Sequence, residues 1–216
     1  REQHRLPIRM VQAILIEVAQ ALAYAHRRSV IHRDIKPANV MLDSEGWAVV
    51  TDFGIAKVLE SDSLTASGAM IGTPFYMSPE QCAGKPVTGA SDQYSLGVVA
   101  YEMLTGHPPF GGDTIMEIMK GHFFEIPQQV QAARPDCPVP LAEAVTRMLA
   151  KEPVDRWASM DDAVGAMEAA PLAQDEPVRS EMMALARSSE ALRRISRLSI
   201  PLSPMPVGWT RARPMP

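Results

Sequence analysis

Cysteine is nearly missing from this chain: Cys82 and Cys137 stand 55 positions apart in 216 residues, and neither has a Cys or His at ligand spacing. That excludes a disulfide framework and a zinc ribbon, and it suits a reducing compartment. No unbroken run of about 18 apolar residues occurs, so a bilayer-spanning segment is not expected. There is no basic-then-apolar leader, so the expected location is cytoplasmic. The first residue is Arg1 and not Met, which suggests that upstream sequence is missing. Internal repeats and low-complexity tracts are absent as well, apart from a proline-rich end.

What is present is an ordinary globular balance, 46% apolar and 21% charged, enough to build one buried core. The net charge of −4 conceals an asymmetry. Residues 1–178 hold 14 Lys and Arg against 23 Asp and Glu, whereas residues 179–216 hold 7 Arg against 2 Glu. An acidic body disfavours nucleic acid as a partner, because phosphate contacts need clustered cations.

Pro7 followed by an apolar pattern at Ile8, Val11, Leu15, Val18, Leu22 and Ala25 predicts a helix with proline in its first turn. Ile14 and Ala21 on the far side imply burial nearly all round. Val40–Leu42 and Trp47–Thr51, joined by Asp43-Ser44-Glu45-Gly46, read as a hairpin. From Asp52 to Glu80 no period exists, so a long functional or disordered loop is expected. Further helices are predicted over 92–104, 113–120, 141–150 and 159–169, the last with Ser159 as its cap. After Pro171 the composition changes. Met182, Leu185, Leu192, Ile195 and Leu198 share one helical face, and the later prolines forbid regular structure. The expected organisation is one mainly α domain over 1–170 and a basic, Pro-rich tail over 171–216 with one amphipathic helix over 181–198.

The chemistry concentrates in Ile31-His32-Arg33-Asp34-Ile35-Lys36-Pro37-Ala38-Asn39, where a carboxylate, an ammonium and a carboxamide fall within six residues just before the hairpin. Asp52-Phe53-Gly54 follows directly after the second strand. Two carboxylates and an amide brought together suit a hard, oxygen-seeking cation such as Mg2+ bound along with substrate phosphates. Asp34 is then placed to accept a hydroxyl proton, and Lys36 to supply positive charge to phosphoryl oxygens.

HRDIKPAN, DFG and, further on, Ser78-Pro79-Glu80 resemble, in order, the catalytic-loop, metal-binding and activation-segment motifs of protein kinases. The similarity covers about residues 1–170 and is to the larger, C-terminal lobe. Phrases such as VIHRDIKPANVML and SDQYSLGVVAYEMLTGHPPF resemble bacterial serine/threonine kinases in particular.

The resemblance implies ATP and Mg2+ as cofactors, with protein serine or threonine hydroxyls as acceptors. It makes Asp34 the catalytic base, Asn39 and Asp52 the metal ligands, and Lys36 with those two the groups facing the nucleotide phosphates. Lys36 and Thr73 mark the Ser/Thr subclass, with Thr73 bonding the catalytic Asp and Lys. His32, Phe53, Gly54 and Asp92 become scaffolding, and Glu80 and Arg156 a buried ion pair. Phe110 is expected as core packing. Arg33 becomes a reader of a phosphorylated activation segment, with Ser61, Ser63, Thr65 and Ser67 as its candidate phosphate acceptors.

The chain departs from the family pattern in one respect. No Gly-rich phosphate loop and no strand lysine with a helix glutamate partner is found, and Gly111-Gly112 lacks the flanking strand to replace them. The N-terminal lobe that cradles ATP in the family is therefore expected to be absent from these 216 residues. The competing class is a non-catalytic interaction module derived from a truncated kinase lobe. The tail helix is read as a linker with a solvated arginine face, with a membrane surface or a protein as the alternative contact.

Overall fold

The computed structural model describes residues 6–53, 74–168 and 177–187. Its regular elements, in chain order, are α1 (Ile8–His26), β1 (Val40–Leu42), β2 (Ala48–Val50), α2 (Pro79–Cys82), α3 (Gly89–Thr105), α4 (Ile115–Phe124), α5 (Val130–Ala133), α6 (Val139–Met148), α7 (Met160–Glu168) and α8 (Pro177–Arg187). Short 3-10 turns cover Pro37–Asn39, Pro74–Tyr76 and Pro153–Asp155. The architecture is mainly helical, and among the described residues the one sheet is the antiparallel pair β1–β2, in register Val40↔Val50 and Leu42↔Ala48.

The helix bounds follow from capping chemistry more than from the apolar period. Pro7 lies just outside α1, not in its first turn, and its carbonyl accepts from the amides of Met10 and Val11. α3 begins three residues ahead of Asp92 because Thr88 and Ser91 form a reciprocal capping box. Thr114 and Glu117 do the same for α4, which runs on to Phe124 instead of ending at Lys120. Ser159 caps α7 as expected, its hydroxyl accepting from the amide of Asp162 at 3.1 Å. α2 and α5 are single turns too short to leave a periodic signal.

α3 is the spine of the fold, with every residue from Ser91 to Thr105 buried. α1 and α6 pack on it, and α7 lies across both α1 and α6. Val11, Leu15, Val18 and Leu22 of α1 are fully buried in the same cluster as Leu96, Leu104, Leu141, Met148 and Met167. Each such side chain contributes roughly 1.5–3 kcal/mol of transfer free energy. Gly97 lets α3 and α6 approach closely: a Cβ there would lie 2.9 Å from that of Met148. α1 is also long and apolar enough to cross a bilayer by length and composition, despite its interspersed polar residues. Here it is a core helix, with its apolar side chains packed against α3 and α7.

Two buried polar devices bind the periphery to this spine. The Arg156 guanidinium grips Glu80 at the start of α2 in a two-point contact (2.8 and 2.9 Å), and its remaining donors reach the carbonyls of Ala90, Ala150 and Lys151. Burial pushes the Glu80 carboxyl up, but hydrogen bonds from Arg156 and Ser91 outweigh it and hold the group below its ordinary range. The second device is His122 of α4, fully buried, with Nδ1 2.9 Å from the Tyr94 hydroxyl and its ring edge-on to Phe110 at 5.2 Å. Burial, helped by the nearby Lys151 ammonium, lowers its pKa to about 4 against the pull of the backbone at Phe75 and Pro74. Lys151 itself is lowered to about 8, chiefly by burial.

Removing half of the first device leaves the other half charged in the interior. Glu80→Gln is expected to destabilise the fold by about 3–5 kcal/mol in urea titrations. Arg156→Met should fall at the upper end of that range, since it also strips three carbonyls of their donor. The second device makes stability pH-dependent. An unfolded His takes up a proton below about 6.5, whereas folded His122 resists it down to about 4. Stability should therefore be full above pH 6.5 and fall by about 3 kcal/mol on acidification to pH 4. Unfolding free energies measured across that window should lose most of this slope in His122→Asn.

Candidate active site

The loop after α1 is held by a single buried carboxylate. Asp92 of α3 accepts the backbone amides of His32 (2.8 Å) and Arg33 (2.7 Å) and lies 2.8 Å from Nε2 of His26, at the end of α1. The Arg33 carbonyl in turn accepts from the side-chain amide of Gln81 at 2.8 Å. Arg33 is pinned on both sides in a left-handed conformation, φ +68°, one that a non-glycine residue adopts only under local compulsion.

His32 is fully buried and joins this loop to the end of the hairpin. Its Nδ1 accepts from the Asp34 amide at 3.2 Å, its Nε2 donates to the Thr51 carbonyl at 2.9 Å, and its ring packs against Phe53 with centroids 4.7 Å apart. These contacts are those of a scaffold residue, with both ring nitrogens committed.

Asp34, Lys36 and Asn39 form one cluster. The Lys36 ammonium lies 2.8 Å from Oδ2 of Asp34, with 37% and 29% of the two side chains exposed. The Asn39 amide nitrogen donates to the Asp34 carbonyl at 2.8 Å and reaches its Oδ2 at 3.3 Å. That leaves Oδ1 as the atom of Asn39 that could hold a metal. Antiparallel register puts Asn39 and Thr51 opposite each other at the open end of the hairpin, where the Thr51 amide donates to the Asn39 carbonyl at 2.9 Å. Asp52 follows at once, exposed and again left-handed at φ +57°.

One carboxamide oxygen and one carboxylate at the same end of a hairpin are hard donors, too few to cage a metal alone. Among the described residues no group of three or more His, Cys, Asp or Glu is arranged to do so. This donor set fits Mg2+, which keeps much of its shell as water and phosphate oxygen.

The loop after α1 is also contacted by α2, which follows the turn Pro74–Tyr76. Ser78 and Gln81 form a capping box at the start of α2, and that same Gln81 reaches Arg33. The Tyr76 hydroxyl donates to the buried Glu102 of α3 at 2.7 Å. Sequence reasoning did not single out Gln81, Tyr76, Glu102 or His26. For Gln81 the pattern Ser-x-x-Gln was a usable signal. Gly54, Ser61, Ser63, Thr65, Ser67 and Thr73 lie outside the described residues.

Residues 1–168 match the model of the protein kinase domain. The chain is 37% identical over 202 residues to the serine/threonine-protein kinase PknA of Corynebacterium glutamicum, covering 91% of this chain and 42% of that protein. It is 41% identical over 155 residues to PkaA of Streptomyces coelicolor, covering 69% of this chain and 28% of that protein. Among solved structures, the PknI kinase domain of Mycobacterium tuberculosis superposes with a TM-score of 0.58 at 34% identity, covering 78% of this chain and 57% of that one. The chain thus spans less than half the length of the curated relatives it matches. With the motifs in order and the domain model matched from end to end of the body, the chain belongs to the protein kinase family, alongside bacterial serine/threonine kinases.

Proposed function

We propose that this chain supplies the metal-binding and acceptor half of a serine/threonine kinase site, which transfers the γ-phosphoryl group of ATP to protein hydroxyls. The observation that carries this reading is the hydrogen-bonded cluster of Asp34, Lys36 and Asn39 at the open end of the hairpin that delivers Asp52. Asp34 takes up the acceptor hydroxyl proton as the oxygen attacks. Lys36, already oriented by Asp34, directs its remaining N–H donors at the phosphoryl oxygens, where charge develops. Asn39 Oδ1 and the Asp52 carboxylate would hold Mg2+, which when bound would neutralise phosphate charge. The family resemblance assigns Thr73 to seating the hydroxyl beside Asp34 and Lys36. Arg33 answers a phosphate on Ser61, Ser63, Thr65 or Ser67.

On this reading a nucleotide-cradling lobe of the family's kind completes the site.

Phosphate transfer from Mg·ATP to a generic Ser/Thr protein tests this. Transfer by residues 1–216 alone should be weak or undetectable, and should rise when a family-type nucleotide-binding lobe is joined ahead of Arg1. In that longer form Asp34→Asn should lower kcat by about 10²–10⁴-fold. Asp52→Ala or removal of Mg2+ by EDTA should abolish turnover. Turnover that survives both Asp34→Ala and Asp52→Ala would overturn the assignment.

A further inference from the structure

The basic tail does not begin as a free linker. α8 spans Pro177–Arg187, earlier than the 181–198 expected from the apolar pattern, and residues 188–198 lie outside the described part. Its Met182 is fully buried, with Val178, Leu185 and Ala186 packed against the core. The helix lies on α1 and β1. Two ion pairs hold it to α1, Arg179 with Glu17 and Glu181 with Arg9.

Arg179 does more than pair. Its guanidinium also donates to the carbonyl of Gly46 at the hairpin tip and lies over the ring of Trp47, 3.5 Å from the centroid. Glu17, held by Arg179 through one oxygen, accepts the Ala48 amide through the other at 2.7 Å. The tip and the first residue of β2 are therefore clamped from the same side. Gly46 is fitted to this contact. Its φ is +80°, and a Cβ there would lie 2.7 Å from the Met183 nitrogen and 3.1 Å from the Arg179 carbonyl oxygen, both backbone atoms of α8.

A hairpin of three residue pairs has little stability of its own, yet this one carries Asn39 at one foot and precedes Asp52 at the other. We propose that α8 is an intramolecular brace for the metal-binding hairpin, with Arg179 as a positioning residue that acts through Gly46, Trp47 and Glu17. About 10 Å of strand separates the clamped tip from the open end, a distance the paired backbone transmits as register. The functional meaning of the brace rests on reading Asn39 and Asp52 as metal ligands; its existence does not.

The test is residue-resolved amide hydrogen exchange by NMR on the 216-residue chain, reading Thr51 at the open end, Trp47 and Ala48 near the tip, and Leu96–Val99 in α3. Arg179→Ala should speed exchange at Thr51 as well as at the tip by about tenfold, with α3 unchanged. Arg179→Lys, which keeps the charge beside Glu17 but not the flat two-sided grip, should restore part of the protection. Gly46→Asn tolerates the positive φ but collides with α8, so it should reproduce Arg179→Ala. Unchanged exchange at Thr51 in both Arg179→Ala and Gly46→Asn would overturn the brace. So would an equal rise in α3, which would mean general destabilisation. The readout needs no phosphoryl transfer, so an inactive chain leaves the brace standing, and an unbraced hairpin leaves the kinase reading standing.

Discussion

A carboxylate sealed inside a helical bundle must be neutralised by donors within reach, and Asp92 draws two of its donors from the backbone of the loop that carries Asp34. This one requirement makes the loop's shape a property of the core. α3 is buried along nearly its whole length, so its carboxylate has no alternative in water, and the loop cannot leave without exposing a charge to an apolar interior. Arg33 keeps its left-handed backbone because its amide is committed to Asp92 and its carbonyl to Gln81.

The same logic recurs around the spine. Glu80 is fixed by Arg156, and Gln81, the next residue, reaches the loop, so the tether from the later helices and the hold on Arg33 meet in a single turn of helix. Tyr76 connects the neighbouring turn to Glu102, also on α3. Both neighbours of the loop thus reach α3 through a polar contact, Tyr76 to Glu102 and Glu80 to Ser91. Apolar packing sets the bundle's stability, and these few contacts set where its loops go.

Much of this was legible in the sequence, for identifiable reasons. Asp34, Lys36 and Asn39 sit within six residues, so their juxtaposition follows from local geometry alone, and the hairpin's turn residues bring Thr51 back opposite Asn39, with Asp52 next in the chain. The scaffolding roles of His32, Asp92, Glu80 and Arg156 came with the family resemblance, and the contacts made by these four side chains fit such roles. What periodicity missed was set by side-chain caps: α3 and α4 start where Thr88 and Thr114 place them, and α2 is too short to show a period. α8 starts at Pro177, ahead of the expected 181, because its first turns pack on α1 and the hairpin tip, a contact that periodicity does not register. Arg179 carries no signal in the sequence beyond its charge, since nothing local reveals that Glu17 and Gly46 face it from far along the chain.

α1 has a consequence for how the chain is made. It has the length and composition of a membrane helix, yet its lasting cover comes from α3 and from α7, whose first residue lies 134 positions beyond His26. During synthesis an apolar segment of 19 residues therefore leaves the ribosome well before its partners exist, and closing that long loop is slow. In that interval the segment is open to a chaperone, to a membrane-targeting factor or to another nascent chain. The buried polar residue Gln12, which in the finished fold donates to the Met167 carbonyl at 2.6 Å, weighs against the lipid route. A side-chain amide within the helix favours the destination where its partner is waiting, the end of α7 in the folded core.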